Sequence, residues 1–393
     1  MYRNGSEKNR GNARVVKQMN REMILQQLRS NDRLSRAQLA QQTGLSRPCV
    51  SSLIDEMIAE GMVYEVGMGQ SSGGRKPILL ELNHRAFLVA GAVIEGSGLH
   101  LGIADLKGDL LAECHVRSGR MTGDVVSELE TVIARLLSEH GLRKSQLLGI
   151  GVGLPGITQQ RSGIVSHAPS TGWMGKPLKQ EIEARLGLNA VIDNDVNFMA
   201  LGEFYRGVGR DVRSLVYVYV GTGIGAGIII DGQVYRGSKE AAGEIGYMMI
   251  GPVDDLKPEA YGTFERNYSL VGLFEQVRQL DPTLKETDSA TLRLIELARS
   301  GMPAAQALYE NVLQHWAYGL VNIISILDPE LLALSGELAV LGAEGVEQLR
   351  SLLSRWVPVV PQIEIAEAGN RAGLIGAIYS ALEAFASTIA HVE

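Results

Sequence analysis

The apolar pattern of this chain changes character at residues 83–87. Before that point it consists of short helical stripes set between polar turns; after it come long apolar runs that read as buried strands. One core cannot serve both patterns, and 393 residues exceed what a single core supports, so two or three domains are expected. No repeat with a period of 20–50 residues and no low-complexity tract interrupts them. The reading divides the chain into a flexible arm over residues 1–18, a small folded head over 19–82, a hinge at 83–87 and a body over 88–393.

In the head, Asn20 can cap a first helix whose stripe is Ile24, Leu25 and Leu28, with Asn31 and Asp32 ending it. Ser35 caps a short second helix that Gly44 closes. Ser46 caps a third, in which Val50, Leu53, Ile54, Met57 and Ile58 fall on one face and Gly61 ends the run. Strands at Met62–Val66 and Ile78–Leu82 with a Gly-rich tip make a wing. This is the order of a winged helix-turn-helix. Its third helix would enter the major groove by its first turns, so Ser46, Arg47, Ser51, Ser52 and Asp55 are the candidate base readers. Arg75 and Lys76 at the base of the wing would meet phosphates or a minor-groove edge. The plain alternative is a packing domain with solvated cations.

Charge supports the DNA reading. Residues 1–85 hold 13 Lys and Arg against 8 Asp and Glu, while the whole chain carries −7, so a basic head sits on an acidic body. Cys49 and Cys114 are the two cysteines and show no CxxC spacing, which argues against a disulfide framework or a thiolate zinc site and for a reducing, cytoplasmic compartment. The basic residues Arg3, Lys8, Arg10 and Arg14 precede no apolar leader segment, and no run reaches 18 apolar residues, so neither secretion nor a membrane span is expected.

The body reads as strands at Leu88–Ile94, Leu99–Asp105 and Leu110–Val116, a helix over Val125–His140 and a strand at Leu148–Leu154. The rhythm restarts at Leu215–Val220, Ala226–Ile230 and Gln233–Tyr235, which predicts two related α/β lobes with a cleft between them. Apolar stripes over Ala304–Ile326 and Ala372–Ala390 predict long covering helices, some of whose surface could join subunits. Between them lie Gly151-Val-Gly-Leu-Pro-Gly156, Gly172-Trp173, Asp193-Asn-Asp-Val-Asn197 with Gly202-Glu203, Gly221-Thr-Gly-Ile-Gly225 and Gly243-Glu-Ile-Gly246.

In order and spacing these segments resemble the ROK family, which unites sugar kinases with sugar-responsive repressors that carry an N-terminal winged helix. The resemblance covers about residues 87–390. It implies an α/β fold: a two-lobed actin-like (ribonuclease-H-like) ATPase-type body behind the head. It also implies that Asn194 and Asp195 touch a sugar, Asp195 standing where the kinases take a proton from the reacting hydroxyl, and that Glu244 and Glu265 accept sugar hydroxyls. Ser170 occupies the place of a sugar-contacting Asn. Read from the residues alone, an Asn-Asp pair before a helix is a cap, and the alternative for Glu265 is a surface carboxylate.

The chain also departs from the family. Tyr247 stands at the His of Glu-x-Gly-His, and no cysteine follows Cys114, so the structural zinc of the family is expected to be absent and no cofactor is expected. Tyr247 would offer its hydroxyl to the sugar instead. Val93 stands where the kinases place an Asp at the end of the first strand, with Glu95 two residues on, and Ser335-Gly-Glu337 replaces a glycine run. The Gly221–Gly225 turn could cradle phosphate or simply bend a hairpin. Phosphoryl transfer needs metal and charge neutralisation besides a base. Asp195 is therefore expected to be a vestigial base in a chain that binds a monosaccharide effector and operator DNA as a homodimer or higher oligomer. An active sugar kinase with an added head, and a regulator held by a protein partner, are the alternatives.

Overall fold

The computed structural model describes residues 5–31, 33–69, 76–95, 98–117, 124–168, 173–251, 262–286 and 288–385. The head comprises α1 (Gly5–Ser30), β1 (Leu34–Ser35), α2 (Arg36–Thr43), α3 (Arg47–Ala59), β2 (Val63–Met68) and β3 (Ile78–Leu82). The first helix begins at Gly5, so Asn20 is an interior residue rather than a cap, and residues 5–18 are helical where the sequence suggested a flexible arm. Residues 5–19 show no apolar stripe; Lys8, Arg10, Ala13, Arg14, Lys17 and Gln18 favour helix, and the run extends a helix that Ile24, Leu25 and Leu28 anchor to the core.

The other caps follow the sequence. Ser35 and Gln38 form a reciprocal capping box at α2, Gly44 at φ 72° ends it, and the Ser46 hydroxyl accepts the Cys49 N–H at α3. Arg21, buried in α1, donates to both oxygens of Glu60 at 2.9 and 2.5 Å and so ties the first helix to the end of the third. β2 and β3 pair antiparallel from Val63↔Leu82 to Met68↔Ile78, with a bulge between Glu65 and Gly67, and β1 adds to the far edge of β3. The bulge explains why β2 runs to Met68 rather than Val66: the extra residue restores the register. Of the wing residues, Lys76 is described and Arg75 lies outside the described residues.

The first lobe contains β4 (Leu88–Glu95), β5 (Gly98–Asp105), β6 (Leu110–Arg117), α4 (Val125–Glu139), β7 (Leu147–Leu154), a β8 (Ile157–Gln159) and β9 (Ile164–His167) ribbon, α5 (Leu178–Leu186) and β10 (Asn189–Asn194). After α6 (Asp195–Arg206), the second lobe contains β11 (Leu215–Val220), β12 (Ile224–Ile230), β13 (Gln233–Val234), α7 (Thr263–Tyr268), α8 (Leu270–Leu280), α9 (Ala290–Arg299) and α10 (Pro303–Leu327). It closes with β14 (Leu331–Gly336), α11 (Glu337–Val340), α12 (Gly342–Leu353), β15 (Gln362–Ile365) and α13 (Ala372–Phe385). The strand orders are β10-β7-β4-β5-β6 and β13-β12-β11-β14-β15. Each sheet is thus an antiparallel meander of three strands extended by two parallel ones, the same plan twice, as the repeated rhythm predicted.

The final helix of each half covers the sheet of the other. α6, which follows the first sheet, lies on β11 and β12, while α13, at the end of the second half, lies on β4 and β7, and the two helices pack against each other. Their approach is set by glycine. A Cβ on Gly202 would overlap the Ala372 carbonyl, and one on Gly376 would overlap the Phe198 carbonyl. Glu203, fully buried, closes the far end by accepting N–H groups of Val208, Glu367 and Ala368 at 3.1, 3.2 and 2.7 Å.

The segment predicted as a hinge is pinned on both sides. Asn83 bonds Gly61 and Met62 of the head at 2.7 and 2.8 Å, while His84 O accepts Leu106 N–H at 3.0 Å and Arg85 O accepts the Gln146 amide at 3.0 Å. Phe87, Val89 and Leu106 carry the core of the head without a break into Leu374 and Ile378 of α13. Among the described residues no helix is long and apolar enough to cross a membrane.

A helical Gly→Ala change ordinarily stabilises by about 1 kcal/mol. For Gly376→Ala the close approach reverses the sign, and we expect a loss of at least about 2 kcal/mol in urea denaturation.

Candidate functional site

The N-terminus of α6 faces β12 and the segment around Glu244 across the gap between the lobes. Asn194, Asp195, Glu244, Tyr247 and Glu265 together line a cavity of about 270 Å³ there. These are five of the six predicted sugar contacts; the sixth, Ser170, lies outside the described residues.

Asn194 ends β10 in an extended conformation and caps α6: its Oδ1 accepts Val196 N–H at 2.8 Å and Asn197 N–H at 3.2 Å. Its Nδ2 donates to Gly156 O at 3.0 Å, which leaves one amide hydrogen for a ligand. Cap and pocket wall are therefore the same residue, and the two sequence readings do not compete. Asp195 is the first helical residue, and the helix dipole favours its charge. From the second lobe, Glu265 is half-buried and accepts Ile224 N–H at 2.8 Å, so it is not a surface carboxylate. A Cβ on Gly246 would press on Glu265 and on Ile224 O, which accounts for glycine at that position.

Burial, and then the neighbouring Glu265, push the Glu244 carboxyl up to about 7; burial likewise raises Glu265. Asp195, Glu240, Glu244 and Glu265 all line the cavity, and among its described residues there is no Lys, Arg or His. Such a lining offers acceptors to the hydroxyls of a neutral polyol and repels a phosphorylated one.

Two ties close the cleft from opposite lobes. Asp193, almost fully buried on β10, accepts Nε and Nη2 of Arg236 at 2.8 and 2.7 Å as well as the Asn197 amide at 2.9 Å. Glu240 accepts the Gln160 N–H. Sequence reasoning missed Arg236 and Glu240, which sit in turns without a motif; the available signal was Asp193, since a buried carboxylate at a strand end calls for a cationic partner.

Of the positions that depart from the kinase pattern, Tyr247 lines the cavity and Val93 is sealed. Val93 is fully buried among Gly153, Phe198 and the interlobe core, so no carboxylate faces the cleft from that place. Gly221 to Gly223 form the tight turn of the β11–β12 hairpin, with Gly221 N–H donating to Gly223 O at 2.8 Å. Gly336 adopts φ 63°, and Glu337 begins α11, where its carboxylate meets the Ser289 hydroxyl at 3.4 Å.

On the head, Val50, Leu53, Ile54 and Met57 bury one face of α3. Arg47 and Ser52 are exposed on α3 and Ser51 is half-buried, while Ser46 is exposed but holds the cap; Lys76 is exposed ahead of β3. Asp55, exposed on α3, is engaged by Arg36 at 2.7 Å, and Arg36 also holds Glu65 at 2.9 Å, so Arg36 links α2, α3 and β2.

The raised Glu244 pKa has a definite sign. The folded state holds its proton more tightly than the unfolded chain, so the contribution of this group is most favourable below its ordinary value of 4.5 and is lost as pH rises towards 7. Glu244→Gln should therefore leave stability at pH 4 nearly unchanged and raise it at pH 8, by on the order of 2 kcal/mol, as read by denaturation at the two pH values.

Residues 20–64 match a winged helix-turn-helix DNA-binding domain, and residues 91–384 match the ROK family. A putative xylose repressor of Caldicellulosiruptor sp. (strain Rt8B.4) is 31% identical over 386 residues, covering 94% of this chain and 96% of that one. A glucokinase of Halalkalibacterium halodurans is 26% identical over 304 residues, 73% of this chain and 92% of its own. The crystal structure of a ROK family transcriptional regulator, a homologue of the E. coli Mlc protein, superposes with a TM-score of 0.77 at 21% identity, covering 96% of this chain and 99% of that one. With a winged helix-turn-helix at its N-terminus and two lobes of the sugar-kinase type behind it, the chain belongs to the ROK family.

Proposed function

We propose that this chain is a DNA-binding transcriptional repressor of sugar-utilisation genes that leaves its operator when an unphosphorylated monosaccharide fills the interlobe cleft. The observation that carries the reading is α6. Its N-terminus presents Asn194 and Asp195 to the cleft, and Arg206 at its other end, about 18 Å away, stands beside the head. A sugar that gathers acceptors from both lobes favours the closed cleft, and the pinned 83–87 segment passes that change to the head rather than absorbing it. The resulting spacing of paired heads no longer fits a two-fold operator. A coupling of about 1 to 3 kcal/mol would change operator affinity about 5- to 150-fold.

Several features favour a repressor over a kinase. The cleft has Val93 in place of a metal-handling Asp, and its described lining holds no cation to neutralise a transferred phosphoryl group, so Asp195 acts as a hydroxyl acceptor rather than a base. The same reading includes no zinc: Tyr247 and a chain without cysteine beyond Cys114 lack the imidazole and thiolate set that tetrahedral zinc requires. It requires two copies, and the exposed ring pair Tyr318 and Trp356, 5.0 Å apart on the second lobe, offers an aromatic surface for pairing.

Operator binding followed by fluorescence anisotropy with a panel of free pentoses and hexoses tests the reading. One of them should weaken binding within the range above, and Asp195→Asn should abolish that response while leaving DNA affinity intact. If no sugar changes occupancy, the reading fails. A coupled ATP assay should show no turnover with the same sugar, and sedimentation should give a dimer.

For the head, Arg47→Ala should cost about 1 to 3 kcal/mol on operator DNA, whereas Lys76→Ala should mainly flatten the salt dependence. Equal losses for both variants on every sequence would remove Arg47 from base readout.

A further inference from the structure

A second cavity lies where the head meets the body. At about 710 Å³ it is larger than the cleft at about 270 Å³. Gln26 and Arg29 of α1 form one wall, His84 of the pinned segment the floor, and Lys107, Asp109 and Arg206 of the body the other wall.

The charges around it are unbalanced. Arg29, Lys107 and Arg206 are cations, and Asp109, the one carboxylate among the described lining residues, is bonded to Arg206 at 3.0 Å. Neither Arg29 nor Lys107 has a carboxylate partner among the described residues. His84 lies between them with its buried Nδ1 unpartnered, and burial, together with Lys107 and Arg29, lowers its pKa, although Asp105 and Glu81 pull the other way. Arg206 is held by the Tyr379 hydroxyl at 2.7 Å and by Lys107 O at 2.9 Å, so it fixes the turn that carries Lys107. Like charges gathered around a partly desolvated space with too few counter-charges are unfavourable unless an anion completes them.

We propose that this cavity is a second ligand site, for a small phosphate-bearing molecule, and that its occupant braces the head against the body. A guanidinium fork and a lysine point charge are the usual phosphate partners, and the volume is that of a metabolite site rather than of a lone ion. An anion here would neutralise α1 of the head and the β5–β6 turn of the body together, so it binds the docked arrangement more tightly and stabilises it. The two ends of α6 would then sense opposite chemistries, a neutral polyol at the acidic end and an anion at the basic one. This inference stands apart from the proposed function, because its failure leaves the sugar response untouched.

The test is calorimetry on the full-length chain with ribose 5-phosphate, inorganic phosphate and ribose as probes. Ribose 5-phosphate should bind with a Kd below about 1 mM. Inorganic phosphate should be weaker, and a fixed excess of ribose should leave both isotherms unchanged. If inorganic phosphate binds as tightly as ribose 5-phosphate, the site holds a free ion and the metabolite assignment is wrong. The double change Arg29→Gln with Lys107→Gln should weaken ribose 5-phosphate by at least about tenfold, whereas Asn194→Ala should not. Lys107→Gln alone, in an exposed turn, serves the same purpose if the double variant does not fold. Unchanged affinity in these variants, or loss in Asn194→Ala instead, overturns the proposal. So does absence of binding at about 10 mM probe. Loss of affinity for DNA without any phosphate binding would reassign the two cations to the operator backbone and end it equally.

Discussion

The structure depends on one close approach, that of α6 and α13. Without side chains at Gly202 and Gly376, two helices from opposite halves of the body come near enough for carbonyl oxygens of one to sit against the other's backbone. Each then covers the sheet its partner's half left open. A loose contact would still bury apolar area, but it would allow the lobes to slide, since interiors resist deformation only when close-packed. With the contact tight, the lobes can move only as bodies, and the position of Asn194 at one end of α6 is coupled to that of Arg206 at the other.

Electrostatics divides the molecule along the same rod. Among the described lining residues, the cleft gathers carboxylates without a cation, and the junction with the head gathers cations with a single, already engaged carboxylate. The net charge of the chain conceals this, because the basic head and acidic body offset each other. Local sign decides which ligand each place can hold.

Much of this was legible in the residues. Strand and helix periodicities located the two meanders and β7 to within a residue or two, because these are long apolar runs, but β10, β14 and β15, three of the four strands that extend the sheets in parallel, went unread; the resemblance supplied five residues that line the cleft. Capping residues fixed α2 and α3 for the same reason: Ser35 and Ser46 act locally. The first helix was misjudged because helix-forming polar residues carry no stripe to read. Long-range pairs were invisible. Nothing near Arg236 announces Asp193, 43 positions away, and nothing near Asp55 announces that Arg36 will claim it. The continuity of the core through Phe87 and Leu106 also escaped, since a change of pattern marks a boundary without saying whether the two sides touch.

Glu203 has a consequence for how the chain is made. Its carboxylate, with no access to water, is satisfied in part by the amides of Glu367 and Ala368, and α13 begins only four residues beyond Ala368. During synthesis, α6 emerges long before those amides exist, so the first sheet and its buried acid wait uncovered until residues 367–385 have followed, about 160 positions later. Folding of both lobes is therefore gated by the arrival of α13 and the turn before it, and a nascent chain cut short before them would leave the first half without its lid and the acid without its partners.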